Sequence, residues 1–344
     1  MGVQKLEHLT GQNGLYAFLA HFQPNGEQTM SGYKAQRKTT RNQVLAILTR
    51  ENTEGSIGTR RNRRSTLLAC CDILRTYGYG KQWNIRQFGI REMNRILDSL
   101  RRKKLAPGTV ENYMTHIRWL TRKIGAVGQI PARNKDVSIA REKNWPSKRK
   151  NKAKALDPKC LEGVVEWAVL VTELREAFGL RLAEACRFDH AYATAFLKAD
   201  AGPIRLHGSW CKNGRPREIP VTNDIQRRLL AKVKAFQDRE RRVQANGQKS
   251  MIPDDKCLDA GLSAYSGIQR RYGIPGHGLR HHWAQERFRT VAGFPCPFAG
   301  GPKYSELSPK DQEKWDKAAG LVNRELGHGA KRDDITAIYI GERQ

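Results

Sequence analysis

The chain has 344 residues, 39% of them hydrophobic, which is enough to bury a substantial core and to form two domains. Lysine and arginine number 62 against 34 acidic residues, and the formal net charge of +28 favours a polyanionic partner, with nucleic acid as the first candidate. No apolar run approaches the roughly 18 residues that a membrane span needs, so a membrane protein is not expected.

The N-terminal and cysteine patterns favour a cytoplasmic protein. The N-terminus lacks the apolar segment of a signal peptide, and Leu6 breaks the myristoylation pattern that Met1-Gly2 begins. The seven cysteines include no Cys-x-x-Cys pair, which argues against a disulfide framework and a zinc ribbon and in favour of a reducing compartment. We therefore expect a cytoplasmic protein that associates with the nucleoid.

The first half of the chain predicts helices with basic outer faces. Residues 1–55 predict an N-terminal helical arm, and residues 56–140 predict a helical DNA-binding bundle, because apolar residues recur there at intervals of three and four. Residues 1–155 carry 31 basic and 10 acidic side chains, whereas the rest of the chain carries 31 and 24. Each basic cluster alone is more typical of a solvated helix face, and only their sum favours DNA. The candidate phosphate contacts are Arg60, Arg61, Arg63, Arg64, Arg101, Arg102, Lys103 and Lys104.

A basic segment at residues 141–156 separates this bundle from a second domain at residues 157–344. The segment has no hydrophobic face, so we interpret it as an interdomain linker that lies along a nucleic-acid backbone. The second domain opens at Asp157-Pro158, an N-cap followed by proline at the first helical position, and its first helix is predicted to end near Gly179. The candidate DNA contacts of the linker are Lys148, Arg149, Lys150 and Lys152.

Several residues of the second domain are candidates for phosphate chemistry. Short strand-like runs flank Lys212-Asn213-Gly214-Arg215 and predict a hairpin, since Asn-Gly is a strong turn signal. Arg181 and Glu184 stand three residues apart, as do His277 and Arg280, so each pair shares one face of a helix. For Arg181 and Glu184, an exposed helical ion pair is the ordinary explanation of this spacing.

The end of the chain predicts a loop and two further helices. Residues 291–307 are rich in Gly and Pro and predict a loop, after which Ser308-Pro309 opens a helix towards Leu326. His328 follows this helix, and Tyr339 lies on a short last helix. Taken alone, a histidine after a helix end is usually a surface residue, and a tyrosine near a C-terminus usually serves packing.

Together these residues resemble the set that defines the tyrosine recombinase (phage-type integrase) family. The resemblance rests on Gly-Leu-Arg-x-x-Glu at 179–184, a hairpin lysine at 212, His-Gly-Leu-Arg-His at 277–281, Leu-Gly-His at 326–328 and the terminal tyrosine. It implies a mainly α fold with a small β-sheet or hairpin: a helical N-terminal core-binding (SAM-like) domain followed by an α+β catalytic domain. In chain order the implied catalytic residues are Arg181, Lys212, His277, Arg280, His328 and Tyr339.

The resemblance implies a role for each residue. Transesterification at a phosphodiester needs a nucleophile, an acid for the leaving group and positive charge around phosphorus. In family roles, Tyr339 is the nucleophile that forms a 3′-phosphotyrosine, Arg181 and Arg280 donate to the two non-bridging oxygens, and Lys212 protonates the departing 5′ oxygen. The remaining roles are His277 as acid or base towards the tyrosine, His328 as a hydrogen-bond partner of the phosphate, and Glu184 as the group that positions Arg181 or His277.

No cofactor is expected for this chemistry, because the phosphotyrosine bond stores the energy for rejoining. The chain also lacks a Gly-rich phosphate loop of the Gly-x-x-x-x-Gly-Lys type. His277 and His281 have the spacing of a zinc-binding helix, but Gly278 stands where a metalloprotease has its glutamate, and Arg280 repels a cation. A metal site is therefore not expected.

The implied function is that of a site-specific DNA recombinase or integrase, which serves the integration or excision of a mobile element or phage. The expected partners are paired double-stranded DNA attachment sites, other copies of the chain in a homo-multimer (a tetramer), and accessory DNA-bending proteins. A type IB topoisomerase and a non-catalytic DNA-binding accessory protein remain alternatives. Eleven positions lead from His328 to Tyr339, a longer gap than in many relatives, so Tyr339 is the assignment most in need of a test.

Overall fold

The computed structural model describes residues 39–80, 83–139, 150–198, 202–240, 249–329 and 332–343. The described residues form two compact units, the first within residues 39–139 and the second from residue 150 onward. Both units are mainly helical and the second contains a two-stranded sheet, which confirms the predicted fold class. The part of the predicted arm before residue 39, and the linker residues Lys148 and Arg149, lie outside the described residues. In the described ranges, no helix combines the length and the apolar character needed to cross a membrane.

The described part of the first unit contains four α-helices, and local sequence sets where each begins. The side chains of Thr39 and Ser56 cap the first two helices by accepting hydrogen bonds from the backbone N–H groups of Asn42 and Thr59. Pro107 opens the fourth helix, where its missing N–H costs no hydrogen bond. The helices are α1 (Thr40–Glu51), α2 (Ile57–Thr76), α3 (Ile90–Arg102) and α4 (Pro107–Lys123).

The apolar faces of these four helices meet in one core. Helix α1 contributes Val44, Ile47 and Leu48, whose spacing of three and four residues places them on the face that packs against α2. The sequence analysis placed α1 in the arm of residues 1–55. In the structure α1 shares its core with the bundle expected at residues 56–140, whose fully buried members include Leu67, Met93, Ile96, Met114 and Ile117.

The second unit combines helices with one antiparallel hairpin. Its described helices are α5 (Glu166–Phe178), α6 (Leu182–Cys186), α7 (His190–Thr194), α8 (Asp224–Glu240), α9 (Leu258–Arg271), α10 (Gly278–Ala292), α11 (Pro309–Glu325) and α12 (Asp333–Ile340). Strand β1 (Gly202–Leu206) pairs with β2 (Arg217–Val221), with Leu206 opposite Arg217. The predicted hairpin is confirmed, although the Asn213-Gly214 turn, where both residues have positive φ, lies within a longer connection at residues 207–216.

Helix α10 organises the packing of the second unit. It packs against α5, α11 and α12, and its Leu279, Ala284 and Phe288 are fully buried. The predicted loop of residues 291–307 leads from α10 to α11, and its Cys296 is buried in the same core. The start and the end of α10 therefore lie at fixed positions relative to three other helices.

Gly179 ends α5, as predicted, and two constraints require glycine there. Its φ of 61° lies in the left-handed region that side chains disfavour. A Cβ at this position would lie 2.5 Å from the indole of Trp283 on α10, so the two elements approach only because the residue has no side chain. Gly179 thus fixes the distance between the chain that leads into Arg181 and the helix that carries Arg280.

Replacing Gly179 by alanine should lower the free energy of unfolding by more than the positive φ alone explains. The left-handed conformation costs alanine roughly 1–2 kcal/mol, and the overlap with Trp283 adds about 1–3 kcal/mol. Gly293→Ala is the matched control, because Gly293 has a φ of 84° and nothing within 4 Å of its Cβ position. Urea unfolding of both variants measures the difference, and equal losses would contradict the tight contact.

Candidate active site

One cavity of about 660 Å³ in the second unit brings the predicted catalytic residues together. Arg280 lies directly beneath the cavity, with its Nε 3.4 Å from the hydroxyl of Tyr339. Residues that are far apart in the sequence thus meet around the start of α10. The cavity walls include the other five members of the predicted set: Arg181, Lys212, His277, His328 and Tyr339.

Backbone carbonyl groups anchor Arg280. Its Nη1 donates to the carbonyl oxygen of Gly179, and its Nη2 donates to that of Leu326. Gly179 lies two residues before Arg181, and Leu326 lies two residues before His328. The guanidinium of Arg280 therefore binds both the segment that leads to Arg181 and the segment that leads to His328. Burial, followed by repulsion from neighbouring arginines, lowers the pKa of Arg280 to about 10, which leaves it charged at neutral pH.

The geometry of Arg280 differs from the expectation that its guanidinium donates hydrogen bonds to a phosphate oxygen. Both of its terminal nitrogens donate to carbonyl groups, and its side chain is 1% exposed. These carbonyls satisfy the hydrogen-bonding capacity of both terminal nitrogens of the buried guanidinium. The side chain of Arg181 is 24% exposed and is the guanidinium that reaches the cavity, whereas Arg280 contacts Tyr339 from below.

Glu184 is a buried carboxylate that binds two arginines. Its Oε1 accepts from Arg181 Nη1 at 2.9 Å, and its Oε2 accepts from the backbone N–H of Arg181 at 2.7 Å. Arg217, at the start of β2, donates from Nη1 to Oε1 at 2.7 Å and from Nη2 to Oε2 at 2.6 Å. Burial raises the pKa of Glu184, but hydrogen bonds from Arg217 and the charges of Arg217, Arg280 and Arg181 outweigh it and hold the pKa at about 2. Glu184 is therefore ionised at neutral pH.

Helix α12 places Tyr339 against three histidines. The Tyr339 hydroxyl lies 3.2 Å from Nε2 of His277. The ring stacks on His281, with ring centres 4.4 Å apart and an angle of 27° between the planes, and the His328 ring centre lies 5.4 Å away. Gln285 Nε2 donates to the Tyr339 carbonyl at 3.0 Å, and Tyr339 is only 5% exposed. The phenol is thus held beside an imidazole nitrogen at the wall of the cavity.

These three histidines are neutral at pH 7. Burial, followed by the charge of Arg280 and other cations, lowers the pKa of His277 to about 4. Burial, followed by His277 and neighbouring cations, lowers the pKa of His281 to about 4. Burial and the nearby arginines lower the pKa of His328 to about 3. A neutral His277 can accept the phenolic proton of Tyr339 at its Nε2.

Two lysines line the cavity from different segments. Lys212 is exposed and lies in the hairpin connection, as predicted, whereas Lys152 comes from the segment that the sequence analysis treated as a linker. That segment runs beside the start of α10, where the Lys154 N–H donates to the Gly278 carbonyl at 3.2 Å. A Cβ on Gly278 would lie 3.0 Å from the Lys152 carbonyl oxygen, so glycine permits this approach. Lys152 therefore belongs to the candidate active site.

The predicted DNA contacts outside the cavity differ in exposure. Arg60 is half-buried, and Arg63 requires a correction because it is only 7% exposed. The Arg63 guanidinium lies 4.4 Å from the ring centre of Trp119, and its Nη1 donates to Asn52 Oδ1 at 2.6 Å, so Arg63 stabilises the bundle instead of facing a phosphate. The exposed members are Arg61, Arg64, Arg101, Arg102, Lys103, Lys104 and Lys150.

Sequence reasoning missed Arg217 and His281 as members of the site. Arg217 alternates with Ile219 and Val221 on the buried face of β2, and this register is the signal that an arginine occupies a core position. His281 lies one helical turn after His277, which places both on one face of α10. Their ring centres are 5.2 Å apart, and in the described part of the chain no third His, Cys, Asp or Glu joins them in a metal-binding group.

Solved structures of DNA recombinases share this fold. A lambda integrase dimer bound to a COC′ core site has 14% identity and a TM-score of 0.53, with 97% of this chain and 84% of that chain covered. XerH recombinase bound to difH substrate in a pre-cleavage complex has 15% identity and a TM-score of 0.52, with 87% and 80% covered. The chain has the tyrosine recombinase fold. A lambda integrase tetramer bound to a Holliday junction has 13% identity and a TM-score of 0.53, with 96% and 85% covered.

The likeness of this chain to the solved recombinases is one of structure. No protein-family model and no curated protein matches the sequence. Within this tyrosine recombinase fold, the motifs that carry the sequence resemblance are also the segments that converge on Arg280.

Acidification should destabilise the protein through the cavity histidines. Their folded pKa values of about 3 to 4 lie below the unfolded value of about 6.5, so the unfolded chain binds more protons. Their contribution to stability is complete above about pH 6.5 and is lost as the pH falls towards the folded values. His328→Gln removes one such group and should make the decrease in unfolding free energy between pH 7 and pH 5 shallower. Urea unfolding across this range measures how the unfolding free energy depends on pH. The same dependence in wild type and variant would contradict the lowered pKa of His328.

Proposed function

We propose that the protein is a site-specific DNA recombinase of the tyrosine type, which cuts and rejoins DNA through a 3′-phosphotyrosine intermediate. The observation that carries the proposal is the Tyr339 hydroxyl, 3.2 Å from His277 Nε2 and 3.4 Å from Arg280 Nε beside a cationic cavity. A phenol between a neutral imidazole and a guanidinium is suited to attack an anionic phosphodiester. The fold supports the proposal, because the solved recombinases that share it are bound to DNA.

In the proposed first step, the Tyr339 hydroxyl oxygen attacks the scissile phosphorus, and its proton passes to Nε2 of His277. The bond between phosphorus and the 5′ oxygen breaks, and Lys212 donates the proton that the leaving oxygen needs. The products are a 3′-phosphotyrosine and a free 5′ hydroxyl. Because the new ester keeps the energy of the phosphodiester, a 5′ hydroxyl from another strand reverses the step without ATP.

Positive charge around the cavity stabilises the charge that develops on the phosphoryl oxygens. Arg181 is exposed to the cavity and donates to a non-bridging oxygen, and His328 lines the same wall. Arg280 supplies a fixed charge beneath the tyrosine. Loss of one preorganised donor of this kind costs roughly a hundred- to a thousand-fold in rate.

We further propose that protomers act as a tetramer on paired double-stranded sites. The lambda integrase dimer on a core site and tetramer on a Holliday junction support this assembly by analogy of fold. The net charge of +28 supplies attraction to the DNA backbone before any base is contacted. The proposed role is integration or excision of a mobile element, in association with the nucleoid and with accessory DNA-bending proteins.

Tyr339→Phe should abolish covalent attachment to DNA and leave DNA binding unchanged. The probe is a set of nicked suicide duplexes taken from the DNA that flanks the gene for this chain, in which cleavage releases a short strand and prevents rejoining. Wild-type protein should give an SDS-resistant adduct, whereas the variant should give none, because phenylalanine has no oxygen to attack phosphorus. Gel electrophoresis in SDS with end-labelled DNA measures the adduct.

Tyr272→Phe is the matched control for this experiment. The Tyr272 hydroxyl donates to the Gly163 carbonyl at 3.1 Å, and the residue does not line the cavity, so its loss should preserve the adduct. An adduct that persists in Tyr339→Phe would show that another residue is the nucleophile. Relaxation of supercoiled DNA without strand exchange between sites would instead identify a topoisomerase.

A further inference from the structure

Arg217 is a buried arginine that does not belong to the six residues with proposed catalytic roles. It begins β2, and its side chain is 4% exposed. Its two terminal nitrogens donate to the two oxygens of Glu184 at 2.7 and 2.6 Å, in the side-by-side geometry that a guanidinium fits and an ammonium does not. The carboxylate that satisfies Arg217 is the same one that binds Arg181.

Arg181 and Arg217 compete for this carboxylate. The side chain of Arg181 donates to Glu184 from Nη1 alone, at 2.9 Å to Oε1. Oε2 already accepts from Arg217 and from the backbone N–H of Arg181. The Arg181 side chain therefore forms no second bond to Glu184, and among the residues that the structure describes its other N–H groups bind no acceptor in the cavity that it lines.

Arg217 also contacts the segments that carry two further members of the site. Its Nη1 lies 3.6 Å from Sγ of Cys211, the residue before Lys212. Its Cδ lies 2.9 Å from the position that a Cβ on Gly327 would occupy, and Gly327 precedes His328. One side chain thus contacts the hairpin connection before Lys212, the helix α6 that carries Glu184, and the segment that leads into His328.

We propose that Arg217 is a positioning residue for binding of the scissile phosphate, an inference that rests on the proposed recombinase function. By saturating Glu184, Arg217 leaves Arg181 with N–H groups for a non-bridging phosphate oxygen. Without Arg217, both oxygens of the Glu184 carboxylate would accept hydrogen bonds from the Arg181 guanidinium. Arg181 would then no longer donate to the phosphate. Arg217 acts through Arg181 and touches neither the DNA nor the reacting atoms.

Arg217→Lys tests this role, because lysine keeps the charge but cannot span both carboxylate oxygens. Cleavage of the suicide duplex should slow by roughly 10- to 100-fold, the size expected when a catalytic group is displaced slightly. DNA affinity should stay within about twofold of the wild-type value, since the net charge is unchanged. Rates are measured in single turnover and corrected for the folded fraction.

Arg287→Lys is the matched control. Arg287 forms a second side-by-side pair in this unit, donating to both oxygens of Glu325 at 2.9 and 2.8 Å with 15% of its side chain exposed. It does not line the cavity around Tyr339. The control should lose thermal stability in the same way as Arg217→Lys but keep its cleavage rate within about twofold.

A methylphosphonate at the scissile position separates positioning from simple stabilisation. Each diastereomer replaces one charged non-bridging oxygen by a methyl group, and one of the two removes the oxygen that Arg181 binds. If Arg217 acts through Arg181, the penalty of Arg217→Lys should shrink to about twofold on that diastereomer and persist on the other. An equal penalty on the phosphodiester and on both diastereomers would overturn the proposal, as would unchanged cleavage by Arg217→Lys.

A paired substitution keeps the proposal testable if Arg217→Lys folds poorly. Arg217→Gln leaves Glu184 free to capture Arg181, whereas Arg217→Gln combined with Glu184→Gln removes the charge that captures it. The double variant should cleave at least about tenfold faster than Arg217→Gln alone, and the absence of such recovery would overturn the proposal. If wild-type protein formed no adduct, the proposed function would fail together with this inference. If wild type cleaves and the variants do not behave as stated, only the inference fails.

Discussion

Burial of like charges beside one another is the physical constraint on which the second unit depends. Arg181, Arg217 and Arg280 surround one carboxylate, that of Glu184, whose side chain is 1% exposed. Without this anion the guanidinium groups would repel one another in surroundings that screen charge poorly. The carboxylate, together with two backbone carbonyls that bind Arg280, allows these arginines to lie together beside the cavity. The Gly-Leu-Arg-x-x-Glu motif at 179–184 supplies both Arg181 and the Glu184 carboxylate, which are three residues apart.

Burial, followed by the same positive charge, controls the protonation of the cavity histidines. Burial and then repulsion by the arginines lower the pKa of His277 to about 4 and that of His328 to about 3, so both are neutral at pH 7. In the proposed mechanism, the bound phosphate brings the negative charge that this site lacks and raises the proton affinity of His277. Transfer of the proton from Tyr339 then becomes most favourable when substrate is in place. Binding and activation of the nucleophile are thereby linked through electrostatics.

Local sequence signals predicted the helices, the hairpin and the residues that meet in the cavity. They failed where the conformation or burial of a residue depends on a partner that is distant in the sequence. Gly179 ends its helix as predicted, because its positive φ is a local property of the chain. Asp157-Pro158 caps only a short turn, since Gly163 adopts a φ of 72° and the helix begins later, at Glu166. The burial of Arg217 depends on Glu184, which is 33 positions away in the sequence, and no local sequence rule predicts such a pairing. Sequence order therefore predicts the six residues with proposed roles, whereas the ion pair between Arg217 and Glu184 is apparent only in three dimensions.

Mass spectrometry of the trapped adduct tests most directly whether Tyr339 is the nucleophile. Trypsin cleaves after Arg332 and Arg343 and releases the peptide 333–343, in which Tyr339 is the only tyrosine. After nuclease digestion, this peptide should carry the mass of a 3′-linked nucleotide, and fragmentation should place it on Tyr339. An unmodified peptide 333–343, with the nucleotide on a different part of the chain, would contradict the proposed mechanism.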